Sequence, residues 1–367
     1  MKKIMPTTTV EKIKKNETSK DKKSELLLDS LEIKGYRCFE HLTIEKLGRV
    51  NLIVGKNNVG KTALLEALWI YSNQGYSRAS YDALRNRDEF PFENGQTVPP
   101  ENHSAIKNLF FGRPNLDYKS PDVKILIGKI QKQESKDLGD AIINSFEVEK
   151  NQIKIEGLSP DKSYGYPQLR EKVGKSIKNF ETFFIRTSII ENKTLVSFWD
   201  EIEKRALEDS VIKALKIIDD DLKDIRFSDY SNGSNIRIPV ARLENVSERV
   251  PLKSLGEGMS HLLAIALALV KCKDGMLLID EIESGLHYSI LLDVWRLIFR
   301  TARELNVQVF AATHSSDCIK AFQRAAEEDV EDEGMLIRLA RKGDKIKAIL
   351  FDEKELETVV ENDIEVR

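Results

Sequence analysis

Several features that would assign this 367-residue chain to a specialised class are missing from it. Its three cysteines, Cys38, Cys272 and Cys318, lie far apart and lack the spacing of a zinc site or a disulfide framework, so we expect reduced thiols. No apolar run approaches the roughly 18 residues of a membrane span, and the lysine-rich N-terminus lacks the apolar segment of a secretory signal. We therefore expect a soluble, cytoplasmic protein without a membrane partner.

An excess of charge of one sign is missing as well. The chain carries 57 Lys and Arg against 60 Asp and Glu, and this net charge of -3 provides no overall field that would attract nucleic acid. A local basic groove remains compatible with that balance. Residues 1–25 are rich in Lys, Thr and Glu and have almost no apolar side chains, so we expect a flexible basic tail there.

What the chain does have is the segment GKNNVGKT at residues 55–62, which fits the phosphate-binding P-loop pattern G-x-x-x-x-G-K-[ST]. The β-branched run before it predicts a buried strand, and the helix-favouring run after it predicts a helix. Such a loop turns backbone N–H groups toward an anion at the positive end of a helix. Lys61 can reach the β- and γ-phosphates, and the Thr62 hydroxyl can bind Mg²⁺. The predicted nucleotide contacts here are Gly55, Asn57, Asn58, Val59, Gly60, Lys61, Thr62 and Ala63.

Two short runs before the P-loop, at residues 31–36 and 42–44, predict paired strands. Arg37 and Phe39 lie in the turn between them. These two side chains can lie over a nucleotide base or contact a phosphate. Equally, Phe39 can be a core residue and Arg37 a surface charge. We count Arg37 among the candidate nucleotide contacts.

Beyond the P-loop helix, the polar residues 72–101 predict a surface loop with short helical pieces. Alternating runs then predict an antiparallel sheet beside the nucleotide site, and helical spacing at residues 195–222 predicts two helices. Asn232 and Gly233 between apolar runs predict a hairpin, and a short helix is expected at the C-terminal end. The further predicted strands are 122–127, 145–149, 151–155, 181–185, 225–227, 236–240, 276–281, 307–312, 335–339 and 345–351.

Two of the later strands lead into polar side chains. Asp280 and Glu281 end the first in a Walker B pattern, and Thr313 and His314 follow the second. Because open parallel sheets bind ligands at the carboxyl ends of their strands, we expect Asp280 in the Mg²⁺ shell and Glu281 on the attacking water. His314 would bond the γ-phosphate or that water, so the predicted catalytic residues are Glu281, His314 and Lys61. The alternative is an exposed acidic pair after an ordinary core strand.

A glycine-rich turn containing Ser254, Gly256 and Gly258 precedes an apolar run that predicts a helix. Its N-terminus would be a second anion site. Since the chain already has a P-loop for its own phosphates, we expect this turn to face the nucleotide of a second subunit. Plain helix capping by Ser254 or Ser260 is the alternative.

Taken in order, these four segments resemble those of ABC-type ATPases of the SMC-like and RecF-like class. A finer resemblance is to the ATPase half of the OLD (overcoming lysogenization defect) family and its stand-alone relatives. It is carried by IKGYRCF at 33–39, SLGEG at 254–258 and ESGLH at 283–287, and it extends from about residue 26 to the C-terminus. The resemblance implies an α/β fold, namely an ABC-ATPase head with a P-loop RecA-like core, an antiparallel β subdomain and a helical signature lobe. It also implies Mg²⁺-dependent hydrolysis of ATP to ADP and phosphate.

The resemblance further implies how the chain is divided and assembled. The basic tail at 1–25 would precede the N-terminal part of the ATPase core at 26–190. A helical insert or signature lobe would follow at 191–250, and the C-terminal part of the core at 251–367. Two heads would sandwich two ATP molecules in a homodimer or a higher homo-oligomer. Residues 283–287 would take the D-loop position, where His287 contacts the partner or caps a helix.

OLD proteins continue into a Toprim nuclease domain, whereas only residues 334–367 follow the acidic run 327–333 here. We therefore expect no DNA cleavage by this chain. The resemblance implies a nucleotide-dependent switch or scaffold that controls a separately encoded effector, a nuclease or a toxin, in bacterial anti-phage defence. A RecF-like or SMC-like repair ATPase that clamps DNA is the alternative. The energy subunit of a membrane transporter fits less well, because the signature is atypical and a Q-loop glutamine has only Gln74 and Gln96 as candidates.

Overall fold

The structure is a computed structural model and describes residues 26–74, 77–89, 103–114, 124–130, 141–149, 152–156, 170–173, 180–186, 192–204, 208–216, 220–229, 237–328 and 333–352. The predicted tail, the terminal helix and Gln96 lie outside these residues. None of the described helices is long and apolar enough to cross a membrane.

Strands and helices both run through the length of the described chain, as expected for an α/β protein. The strands are β1 (Leu31–Tyr36), β2 (Phe39–Ile44), β3 (Val50–Val54), β4 (Lys124–Gly128), β5 (Ala141–Glu149), β6 (Gln152–Glu156), β7 (Arg170–Val173), β8 (Thr182–Ile185), β9 (Leu222–Asp229), β10 (Arg237–Leu243), β11 (Val250–Pro251), β12 (Met276–Ile279), β13 (Gln308–Ala312), β14 (Gly334–Lys342) and β15 (Lys345–Phe351). The helices are α1 (Lys61–Ser72), α2 (Ser77–Arg85), α3 (His103–Ile106), α4 (Asn192–Lys204), α5 (Glu208–Lys216), α6 (Glu257–Lys271), α7 (Leu291–Glu304) and α8 (Ser316–Glu327).

A six-stranded sheet with the order β15-β14-β3-β13-β12-β8 carries the P-loop strand at its centre. All its neighbouring strands are parallel except β14 and β15, which form an antiparallel hairpin. Both faces of the parallel strands are covered: Leu52 of β3 packs into the cluster formed by α4 to α8, and Ile53 packs into the cluster that contains α1. Such two-sided burial explains why these strands are continuous apolar runs rather than alternating ones.

The predicted antiparallel sheet is confirmed, with the order β2-β1-β4-β5-β6 and β7 paired to β5. Its first strands pack on the α1 side of the central sheet, where Tyr36 and Phe39 join the same core cluster as Leu64 and Leu68. The turn between β1 and β2 therefore lies next to the P-loop, as expected.

The two predicted helices between residues 195 and 222 are present as α4 and α5, and the predicted hairpin is β9 paired with β10. The prediction was wrong at Leu222, which begins β9 instead of ending a helix. The reason is local: from Ile225 to Phe227 the buried side chains recur every second residue, which is the period of a strand. Nothing in the described contacts tests the division at residues 190 and 250, which remains a proposal.

Candidate functional site

The P-loop lies between the end of β3 and the start of α1, and two of its glycines are required by close approach. Gly55 has φ +144°, and a Cβ there would lie 2.5 Å from the carbonyl oxygen of Leu339. Gly60 has φ +104°, and its Cβ would lie 2.7 Å from Cys38 Sγ. Both φ values lie in the region that favours glycine, so the loop can pass under β14 and beside the β1–β2 turn only with glycine at these positions.

Lys61 is the first residue of α1, and its side chain is buried. Its Nζ donates hydrogen bonds to the carbonyl oxygens of Gly55 at 2.7 Å and Lys56 at 3.2 Å. Burial lowers the pKa of Lys61, while the nearby carboxylates, Asp280 first among them, act in the opposite direction. The ammonium group is thus folded over the loop, close to where a phosphate would bind.

Thr62 and Asp280 meet across the gap between α1 and the end of β12. The Thr62 hydroxyl donates to Asp280 Oδ2 at 2.8 Å. Burial raises the pKa of Asp280, and the hydrogen bond from Thr62 partly offsets this. A hydroxyl and a carboxylate oxygen are ligands that Mg²⁺ accepts together with phosphate and water oxygens. The described residues contain no cluster of three or more His, Cys, Asp and Glu that could hold a metal alone, so a cation here would depend on such additional oxygens.

Glu281 and His314 follow the neighbouring parallel strands β12 and β13, and their side chains meet. His314 Nε2 lies 3.3 Å from Glu281 Oε1, and both side chains are partly exposed. Glu281 has φ +50°, an uncommon backbone conformation for a residue with a side chain. Such outliers persist only where the surrounding structure holds them, and they are concentrated at functional sites.

One cavity of about 670 Å³ is lined by Asn57, Asn58, Gly60, Lys61, Thr62, Ala63, Glu281 and His314. A second cavity of about 320 Å³ adjoins His314 and is also lined by Val54, Gly55, Lys56, Asn57, Thr313 and Ile319. Asp280 lines neither cavity and reaches the site through its hydrogen bond with Thr62. The Walker A, Walker B and switch-histidine residues predicted from the sequence are therefore brought together. Val59 is buried against Gly55 instead of lining either cavity.

The larger cavity is also lined by residues that sequence reasoning missed, namely Cys38, Arg87, Glu89, Asn108, Phe110 and Arg113. Five of them come from the part of the chain between α1 and β4, which carries no motif. Arg341 of β14 was missed as well: it does not line the cavity, but its Nη2 donates to the carbonyl oxygen of Asn58 in the P-loop at 3.4 Å. Its position follows from the pairing of β14 with β3, which no local pattern indicates. Gln74, a Q-loop candidate, is not among the residues lining these two cavities.

Arg37 lines the larger cavity, but the interpretation of it as a surface charge is wrong, because its side chain is only 6% exposed. Its Nε lies 2.8 Å from Glu66 Oε2, and its Nη1 donates to Glu89 Oε2 at 2.9 Å. Its Nη2 donates to the carbonyl oxygen of Ala83 at 3.0 Å. Any contact with a phosphate would compete with these partners. Phe39 is a core residue, 1% exposed.

The signature turn lies away from the cavity. Ser254 and Gly256 are exposed, and neither they nor Gly258 belong to the residues that line the two cavities. The alternative of capping by Ser254 or Ser260 is wrong, since α6 has Gly256 as its N-cap and no side-chain cap. His287 does cap a short helix: its Nδ1 accepts from the backbone N–H of Ser289 at 3.4 Å.

Similarity to known proteins extends over most of the chain. The model of the AAA ATPase domain family matches residues 27–156 and 111–319. An ATP/GTP phosphatase of Helicobacter pylori is 23% identical over 337 residues, which cover 82% of this chain and 89% of that protein. The DNA replication and repair protein RecF of Bacillus subtilis is 35% identical over 57 residues, 16% of this chain and 15% of that protein.

Among solved structures, the SmcHead bound to the C-winged helix domain of ScpA has a TM-score of 0.51 at 12% identity. The match covers 89% of this chain and 99% of that one, and at this identity it concerns the fold alone. The fold expected from the sequence, an ABC-ATPase head, is confirmed. These comparisons do not confirm the finer resemblance to the OLD family. The chain belongs to the AAA ATPase domain family.

Proposed function

We propose that this chain hydrolyses ATP to ADP and phosphate with Mg²⁺ and that the bound nucleotide acts as a switch. The observation that carries the proposal is the 2.8 Å contact between Thr62 Oγ1 and Asp280 Oδ2. It joins the first turn of the P-loop helix to the end of the Walker B strand. Two oxygen ligands side by side, next to a loop that suits phosphate, fit a hard cation that is bound together with a nucleotide.

Each side chain then has a role that follows from its place. Mg²⁺ held by Thr62 and Asp280 would neutralise charge on the phosphates. The Lys61 ammonium would exchange its two carbonyl partners for β- and γ-phosphate oxygens. Glu281, on the cavity wall, would orient the attacking water and accept its proton, and His314 beside it would bond the γ-phosphate.

The signature turn supports a role for a second copy of the chain. Ser254 and Gly256 are exposed at the start of α6, and with Gly258 they lie apart from the phosphate cavity of their own chain. A helix N-terminus directed to solvent is suited to an anion brought by another molecule. We therefore propose an ATP sandwich in which this turn contacts the nucleotide of a second subunit.

The test is Glu281→Gln, with Asp317→Asn as the matched control, since Asp317 is an exposed carboxylate in the first turn of α8. Loss of a general base costs roughly 10²–10⁴ in rate. We expect Glu281→Gln to bind ATP with unchanged affinity and to hydrolyse it more slowly by that factor. We also expect the molecular mass of the variant in solution to increase with ATP but not with ADP. Equal hydrolysis by the variant and the control would refute the role of Glu281, and an unchanged mass would refute the sandwich.

The finer function that we propose is control of a separately encoded effector, a nuclease or a toxin, in anti-phage defence. What supports it is the OLD-like pattern in three segments together with the balanced charge of the chain. Co-expression with the adjacent genes, followed by purification with ATP and with ADP, tests it. A partner retained in only one nucleotide state is the expected result, and the absence of any such partner would contradict the effector role.

One observation favours the alternative, a DNA clamp. The register of β14 and β15 places Lys342 opposite Lys345, and Lys347 opposite Ala340, on one face of the hairpin. All three lysines are exposed, in a row that can follow a phosphate backbone. Duplex DNA is titrated at several salt concentrations into the wild-type chain and into a variant with all three lysines changed to Glu. A DNA clamp should lose affinity for DNA both as salt rises and on substitution of the lysines.

A further inference from the structure

Glu283 has no role in the ATP chemistry proposed above, yet its side chain makes a specific contact in the site. It lies in the turn after the Walker B strand, and its Oε1 accepts hydrogen bonds from two consecutive backbone N–H groups, those of His314 at 3.0 Å and Ser315 at 3.2 Å. His314 and Ser315 lie between the end of β13 and the start of α8, whose N-cap is Ser315. One carboxylate oxygen therefore joins the polar ends of two neighbouring strands.

The contact is charge-assisted, since backbone N–H groups donate to a carboxylate, and its 3.0 and 3.2 Å distances are those of ordinary hydrogen bonds. The carboxylate also lies at the N-terminus of α8, where the helix dipole favours a negative charge. It thereby holds the backbone of His314, while Glu281 contacts the ring of the same residue at 3.3 Å. Two carboxylates from one turn thus bind the two ends of His314.

A carboxylate can position its partner only if it is held in place itself, and α6 holds this turn from the other side. Gly258 packs against the carbonyl oxygen of Gly285, so closely that a Cβ on Gly258 would lie 3.2 Å from it. His261 of α6 lies beside the backbone of Ile282 and near the Glu283 carboxylate. Helix α6 thus approaches the turn on either side of Glu283.

The second oxygen of Glu283 argues against a purely structural cap. Glu283 Oε2 is buried and has no hydrogen-bond partner among the described residues, and His261 Nε2 is in the same situation. A buried polar atom without a partner costs stability, and native structures keep few of them outside functional sites. The geometry points to Glu283 as a positioning residue that sets His314 relative to Glu281 at the γ-phosphate. This inference rests on the proposed ATPase activity.

The test compares Glu283→Gln with Asp317→Asn, since each removes one carboxylate near the start of α8 and only Glu283 belongs to the Walker B turn. We expect Glu283→Gln to lower kcat roughly tenfold or more, as losing a charge-assisted contact does, and to leave the Kd for ATP within about twofold. Asp317→Asn should leave both values within about twofold. An equal loss of kcat in the two variants would mean that charge at α8 alone matters, and it would overturn the proposal.

A double-mutant cycle measures the coupling between Glu283 and His314 in kcat, which a general loss of stability does not produce. If Glu283 acts through His314, then Glu283→Gln has no further effect on kcat in a His314→Ala background. Additive losses would overturn the proposal. Should Glu283→Gln fail to fold, Glu283→Asp, which keeps the charge and withdraws it by one methylene, is measured by the same criteria. If the wild-type chain itself does not hydrolyse ATP, the proposed function fails; if it does and Glu283→Gln matches it, only this inference fails.

Discussion

The buried ion pair between Arg37 and Glu66 allows a sharp prediction about an arginine that the sequence assigns to the nucleotide. Glu66 lies on α1, and its side chain is 1% exposed. It has two cationic partners, Arg37 at 2.8 Å and Arg87 at 2.9 Å. The perturbation is Arg37→Met, which keeps much of the side-chain volume and removes the charge.

The expected loss in the free energy of unfolding follows from the charge that stays buried after the substitution. Removing one partner of a buried ion pair costs about 3–5 kcal/mol, because the other charge stays buried without compensation. Since Glu66 keeps its ion pair with Arg87, we expect the free energy of unfolding to fall by about 3 kcal/mol, near the lower end of that range. Changing Glu66 to Met as well removes the stranded charge. Apolar replacement of a whole buried pair is often neutral, but Glu89 and the Ala83 carbonyl also lose their contacts with Arg37, so the double variant should recover only part of the lost stability.

Urea unfolding without nucleotide, followed by tryptophan fluorescence, measures these differences. A cost below about 1 kcal/mol for Arg37→Met, or no recovery in the double variant, would refute the reasoning. ATP binding by the double variant then decides the role of Arg37. If the pair is structural, affinity stays within about threefold of wild type; a loss of one phosphate contact would weaken it roughly tenfold.

Two further predictions concern the cavity. Thr62→Val removes the hydroxyl that contacts Asp280 but keeps the shape of the side chain. We expect half-maximal activity at a higher Mg²⁺ concentration and an ATPase rate lower by roughly tenfold or more. An unchanged Mg²⁺ titration would contradict the role of Thr62 as a Mg²⁺ ligand. Burial raises the pKa of Cys38, so less thiolate is present near neutral pH, and alkylation should be slow there and faster in mildly alkaline solution. ATP should slow the alkylation of Cys38 further, because Cys38 lines the cavity. Burial raises the pKa of Cys272 and Cys318 to about 12, so these two thiols should react only after unfolding. Mass spectrometry of modified peptides measures the labelling of each cysteine, and equal labelling of Cys38 with and without ATP would contradict its place in the nucleotide cavity.

The parts of the site that could be predicted from the sequence are those whose chemistry is local. The P-loop and the Walker B pair are contiguous motifs on strands buried on both faces, and their apolar runs are evident without a structure. That Asp280 and Glu281 would meet Thr62 and His314 follows from one topological rule, namely that parallel strands bring their carboxyl ends to the same edge.

The remainder could not be predicted, because it depends on residues that are distant in the chain. The sequence assigns Arg37 either to phosphate or to the surface, yet it is bound by Glu89, 52 positions later, and by Glu66. No pattern indicates that Arg113 reaches the same cavity. The capping alternative for the signature fails for a different reason: serines favour helix N-caps in general, but here Gly256 occupies the N-cap position.

The pairing of the P-loop strand has a consequence for how the protein is made. In the central sheet, β3 lies between β13 and β14, and Val50 pairs with Gly334, 284 positions later in the chain. At roughly 5–20 residues per second, the ribosome needs about a quarter of a minute to a minute to reach that partner. For most of this time the apolar P-loop strand lacks both neighbours, since β13 begins only at Gln308, so the emerging chain exposes an unpaired strand to aggregation. The P-loop strand is thus made long before the strands that complete its sheet, and nascent chains of this protein should depend on chaperones more than their length alone would suggest.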